Sequence, residues 1–259
     1  MLDEEFAKRL ETLPIASDVV GELFSAARES SEARVFTAVV DVERWFHDGK
    51  KYLTCQMLNH WVVQQFAEYF SQVNVPIEKL PDPSMGNLFR RLQMLAYSQF
   101  WECHAIQRLF MQLIQIAEGK EYDPRLLMDD RPKTANIYEW LISHAKCLNL
   151  SLAEFLSGVY SNQIRNAFAH SQFCVLGEYI SFFNHNPKIE SHFPSLKLAT
   201  WDRLFQITSD FIIAFFETRR AFERELISKM PYRVELPEFT GAFNLAKDER
   251  GYWSAKPTK

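Results

Sequence analysis

Glycine is scarce in this chain, with only 8 in 259 residues, and no apolar run is long enough to cross a bilayer. The most apolar stretch, residues 211–216, is flanked by Asp210 and Glu217. Each glycine in a helix interior costs roughly 1 kcal/mol relative to alanine, so its scarcity favours helix. The four cysteines, Cys55, Cys103, Cys147 and Cys174, form no C-x-x-C pair and no Cys/His spacing suited to zinc. They read as free thiols in a reducing compartment, and no metal site is expected. A phosphate-binding glycine loop, a nucleophile elbow and a dinucleotide fingerprint are all missing, which removes the common nucleotide-dependent enzymes. Positive charge is not in excess either, the formal net charge being −4. A protein that coats nucleic acid is usually basic, whereas an enzyme that touches a few phosphates needs only a local basic site. The first eight residues are charged and amphipathic, unlike a signal peptide. The expectation is a cytoplasmic protein with no membrane contact and no cofactor.

What the chain has in quantity is apolar and aromatic side chains: 47% hydrophobic residues, with 22 Phe, 9 Tyr and 6 Trp, against 24% charged. That is the composition of a globular protein with a real core. Apolar residues recur three and four apart, which predicts helices at about 3–13, 17–27 (capped by Ser17) and 31–73, with a break near Gly49. Prolines 76, 81 and 83 form a connector, followed by a second long helix from about 85 to 118, closed by Gly119. Residues 120–133 read as a charged, mobile loop. A shorter helix covers about 137–148. Ser151 and Glu154 have the spacing of a capping box, in which each side chain satisfies a free N–H at the start of a helix running to about 170. Two short apolar runs around Gly177-Glu178 predict a small hairpin with a glycine-first turn. A last long helix, capped by Thr200, runs to about 227. The expected fold is all-α: one elaborated domain over 1–259, with a long-helix pair at 31–118, a unit of helix, hairpin and closing helix at 137–229, and an irregular accessory tail at 230–259.

The chemistry concentrates in Asn162-Gln-Ile-Arg165-Asn166-Ala-Phe-Ala-His170. Asn162, Asn166 and His170 are i,i+4 neighbours on one flank of a helix, whereas Arg165 points about 140° from His170. Histidine titrates near neutrality and can serve as general base or acid. Arginine presents a planar fork that holds a phosphate in two-point contact. This Arg165-Asn166-x-x-x-His170 motif resembles the signature of the HEPN family, and the resemblance covers about residues 151–227. It implies a HEPN-like helical bundle and a metal-independent endoribonuclease: Arg165 stabilises phosphate charge, His170 acts as acid or base, and Asn166 orients. It further implies a homodimer through the motif helix, or a pseudo-dimer with a partner protein, and the setting of a toxin–antitoxin pair or an anti-phage defence system, with an antitoxin or sensor protein as partner. Some family toxins carry a tyrosine two positions after the histidine as the target of a modifying antitoxin; Gln172 stands there in this chain. The alternative is a non-catalytic HEPN-like module that recognises nucleotides or a protein.

Other residues are weaker candidates. Asn162 is expected to line the cleft beside the catalytic set. His104 and Arg108, an i,i+4 pair close to Glu102, are candidates for binding RNA phosphate, although such a set is more often a solvated or core-edge patch. Glu43, Arg44, His47 and Asp48 resemble a metal cluster only loosely. Arg219, Arg220, Arg224 and Lys229 form a basic group that reads equally well as a solvated helix end. The phenylalanines from Phe205 to Phe216 read as core.

Overall fold

The computed structural model describes residues 2–47, 83–123, 126, 133–189, 192–228, 232–235, 242–247 and 253–257. Their helices are α1 (Leu2–Glu11), α2 (Ala16–His47), α3 (Pro83–Glu102), α4 (His104–Ala117), α5 (Thr134–Cys147), α6 (Leu152–Val159), α7 (Asn162–Ala169) and α8 (Leu198–Ser228). Strands β1 (Phe173–Leu176), β2 (Tyr179–Phe182) and β3 (Ser195–Lys197) form one antiparallel sheet in that order. Strands β4 (Tyr232–Glu235), β5 (Ala242–Lys247) and β6 (Trp253–Pro257) form a second. The mainly helical class is as expected. The predicted helix beyond residue 47, its break at Gly49 and the proline connector at 76 and 81 lie outside the described residues.

Helix α4 is the axis of the bundle. Every residue of it except Gln115 and Ala117 is buried, the pattern of a helix covered on all sides. Helix α2 packs along it and along α8, α5 packs on α6, and α3 carries α7. Phe211 of α8 sits at the aromatic centre, 4.6 Å from Phe155, 5.6 Å from Phe110 and 6.2 Å from Phe100 between ring centroids. Phe205, Phe215 and Phe216 are buried beside it, so the aromatic stripe of the last helix is core, as its spacing predicts. Helix α2 bends at Ser31, whose backbone is extended. The Ser31 hydroxyl accepts from Arg34 N–H at 3.3 Å and restarts the helix.

Several local expectations are corrected by tertiary contacts. The helix drawn over 85–118 is two helices, broken at the extended, fully buried Cys103. The helix drawn over 151–170 is also two, broken at Tyr160–Ser161. There is no capping box at Ser151: its N–H donates to Glu22 Oε2 at 2.8 Å and its hydroxyl donates to the same oxygen. A carboxylate from α2 thus does what Glu154 was expected to do. The hairpin turns at Gly177-Glu178 with Gly177 at φ +57°, the glycine-first turn its sequence calls for. A third strand, β3, pairs on β2 and feeds directly into α8, which starts before Thr200. The tail, expected to be irregular, contains the second sheet. The loop at 120–133 is fastened at its described positions: Gln112 exchanges two hydrogen bonds with the Asp123 backbone, and Arg108 donates to the Leu126 carbonyl. No described helix is long and apolar enough to cross a membrane.

Candidate functional site

Helix α7 carries the motif, and it is held at both ends and along one side. At its start, Ser161 accepts from Ile164 N–H at 3.3 Å. The break before it is bridged by Tyr97 of α3, fully buried, whose hydroxyl donates to Val159 O at 2.8 Å and accepts from Ser161 N–H at 3.2 Å. These bonds replace the helix hydrogen bonds lost at Tyr160–Ser161 and fix the angle at which α7 leaves α6. On its side, buried Gln163 pairs with the Phe193 backbone through two bonds of 2.7 Å, and the Gln163 carbonyl accepts from Asn184 at 2.9 Å. The segment joining β2 to β3 is therefore pinned to the motif helix. At its end, Gln172 N–H reaches Ala167 O and Ser171 N–H reaches Phe168 O, with Ser171 at φ +54°. This is a Schellman closure with His170 as the C-cap.

Within that frame Asn162 is the hub. Its Oδ1 accepts from Arg165 Nη2 at 2.6 Å and from Asn166 Nδ2 at 3.3 Å. Arg165 Nη1 donates to Glu102 Oε1 at 2.7 Å, which ties α7 to the end of α3. The Arg165 side chain is 11% exposed, and its Nε is enclosed without an acceptor. Tyr160 lies beside it. Burial pushes the phenol up to about 12, while the Arg165 guanidinium pulls the other way; Glu102 and Glu139 are close enough to reinforce the rise. His170 is exposed, and its imidazole makes no hydrogen bond or ion pair among the described residues. The structure thus joins Asn162, Asn166 and Arg165, adds Glu102, and leaves His170 on the surface one turn beyond Asn166. No hydrogen bond links Arg165 to His170.

The remaining candidates are placed elsewhere. His104 and Arg108 are each 1% exposed, inside the bundle on α4, so neither is presented to an RNA phosphate. Their i,i+4 spacing puts them on one helix face, as a phosphate site requires, but α4 is covered on nearly every face. Of the basic group on α8, Arg219 is buried while Arg220 and Arg224 are exposed, and Lys229 lies outside the described residues. The side chains of Glu43, Arg44, His47 and Asp48 are likewise outside them. Among the described residues no three His, Cys, Asp or Glu side chains gather as a metal site would require. Tyr97 and Gln163 were missed, since nothing in their local sequence marks a side chain that bonds to distant backbone. Glu102 was noticed only as a neighbour of His104. No family model matches the chain, and comparison with curated proteins and solved structures finds no match.

Proposed function

We propose that this protein is a metal-independent endoribonuclease of the HEPN-like type that cleaves RNA by attack of the ribose 2′-hydroxyl. The observation that carries the reading is the exposed His170 at the C-cap of α7, one turn from an Asn166–Asn162–Arg165 network. In this reading His170 takes the 2′-hydroxyl proton or gives one to the leaving 5′-oxygen. Arg165 neutralises the charge that builds on the phosphorane, and Asn166 holds a phosphate oxygen or the histidine. The products are a 2′,3′-cyclic phosphate and a 5′-hydroxyl end. Because Arg165 turns toward α3 while His170 faces outward, the complete site takes its second half from another copy. Exposed Leu176, Tyr179 and Phe183 on the adjoining hairpin support such a homodimer. A toxin or anti-phage effector, restrained by an antitoxin or sensor protein, is the setting that goes with the resemblance.

The Glu102–Arg165 ion pair favours a second reading, a non-catalytic module that binds nucleotides or a protein partner, because it satisfies the arginine internally. One experiment separates them. Purified protein and its His170→Ala variant are incubated with total RNA in excess EDTA, and the fragment ends are analysed. Cleavage by the parent alone, leaving cyclic phosphates, is expected. No cleavage by either protein favours the binding module, and equal cleavage by both removes His170 from the mechanism.

A further inference from the structure

Glu102 occupies a poor position for a carboxylate unless that carboxylate has a task. It is the last residue of α3, where the outward carbonyl groups and the negative end of the helix dipole disfavour an anion. The chain breaks immediately after it at extended Cys103, so the side chain hangs from a helix end and is open to solvent on one side. Its contact with Arg165 runs through one oxygen and one nitrogen, Oε1 to Nη1 at 2.7 Å. Glu102 remains 31% exposed in this contact, nearly three times the exposure of its partner. Of the other guanidinium nitrogens, Nη2 donates to Asn162 and Nε is enclosed without an acceptor. While Glu102 stays in place, its carboxylate covers the Nη1 donor and offsets the charge that Arg165 presents to an incoming anion.

We propose that Glu102 is a built-in gate: it sits on the donor of Arg165 that an RNA phosphodiester takes, and RNA binds when the carboxylate swings off Nη1. The inference rests on the ribonuclease reading in taking RNA as the ligand, and adds to it an autoinhibitory contact. The exchange conserves charge pairing. At Nη1 the guanidinium trades a carboxylate oxygen for a phosphate oxygen, both anionic acceptors of a charge-assisted hydrogen bond, and the released carboxylate is hydrated at the helix end. Asn162 remains on Nη2 throughout and keeps the guanidinium plane oriented. Glu102 also repels the arriving phosphate, since like charges a few ångströms apart interact strongly even at the effective dielectric of a protein surface. After allowance for its partial exposure and for salt, removing that charge is expected to tighten binding roughly five- to tenfold.

The test measures fluorescence anisotropy of a labelled single-stranded RNA oligonucleotide with the full chain, on a His170→Ala background so that the probe survives. Adding Glu102→Gln keeps the size and an acceptor for Arg165 while removing the charge. It is expected to tighten binding by the factor above, and the gain is expected to vanish when Arg165→Gln is added. Glu102→Asp, which keeps the charge one methylene short of Nη1, is expected to bind between the two; it also keeps the test decisive if the glutamine variant melts early. Unchanged affinity, a gain that survives loss of Arg165, or no RNA binding by any variant overturns the gate. His170-dependent cleavage with unchanged Glu102→Gln affinity sinks the gate alone. A Glu102-dependent gain in a protein that never cuts RNA sinks the ribonuclease reading alone.

Discussion

Replacing Tyr97 with phenylalanine removes one oxygen atom and leaves every ring contact in place. Those contacts place its ring 5.5 Å from Trp201, 5.9 Å from Trp101 and 6.2 Å from Phe168, in edge-on arrangements. What disappears is the bridge across the α6–α7 break: the donor to Val159 O at 2.8 Å and the acceptor for Ser161 N–H at 3.2 Å. Each hydrogen bond contributes about 1 kcal/mol net, and a buried partner left without a mate adds about 1–3 kcal/mol. Val159 is fully buried, so its carbonyl bears most of that penalty, whereas half-buried Ser161 can recruit water. The sum is about 2–4 kcal/mol, equivalent to a melting shift of roughly 4–8 °C for a chain of this size. Tyr138→Phe is the control. Tyr138 is just as buried, but its hydroxyl lies within reach of the Gln107 side chain and bonds to no backbone group among the described residues. Removing it is expected to cost about 1 kcal/mol or less, the size of one side-chain hydrogen bond. Urea unfolding followed by circular dichroism, with equal slopes for the three proteins, measures both. A Tyr97→Phe loss under about 1 kcal/mol, or a Tyr138→Phe loss as large as that of Tyr97→Phe, refutes the assignment of the bridge.

Two further outcomes follow from local geometry. Ser171 holds φ at +54° to close the motif helix, a conformation that costs a side-chain residue about 1 kcal/mol and glycine almost nothing; Ser171→Gly is expected to raise the melting temperature by a few degrees, and a fall would show that the hydroxyl does more than occupy the cap. Burial would raise the Glu118 carboxyl, but hydrogen bonds from Lys120 and His144 outweigh it and hold the group below its ordinary value of 4.5. A depressed carboxyl adds stability above the unfolded value and loses it as pH falls through the folded one. Glu118→Gln is therefore expected to be less stable than the parent at neutral pH, with the difference closing as pH falls below 4.5. A difference that is constant with pH would contradict the assignment.

Several elements could be read from the sequence because their signals are local. Gly119 and Gly177 mark a helix end and a hairpin turn through the positive φ that each position requires. The spacing of Phe205, Phe211, Phe215 and Phe216 marks one face of α8 without any knowledge of its partner. The motif could be read in the same way, since i,i+4 spacing places Asn162, Asn166 and His170 along one flank, and the network at Asn162 follows from it. The misses have their own causes. A helix through Tyr160 is acceptable to every nearby residue, and it is Tyr97, distant in sequence, that bonds across that break; at Cys103 the Gln107 side chain donates to the Trp101 carbonyl.

Local signals were enough to show that the chain is mainly helical, that a helix ends at Gly119 and a hairpin turns at Gly177, and which residues of the motif share a flank, because helix period and backbone dihedral preference act over a few residues. The tertiary structure alone decided that Glu22 satisfies Ser151, that Tyr97 and Gln163 hold α7, and that Glu102 sits on Arg165. It also decided that His104 and Arg108 lie inside the bundle rather than on its surface. Those outcomes depend on which faces meet, and a polar residue on a helix is exposed or buried according to what the rest of the chain lays over it.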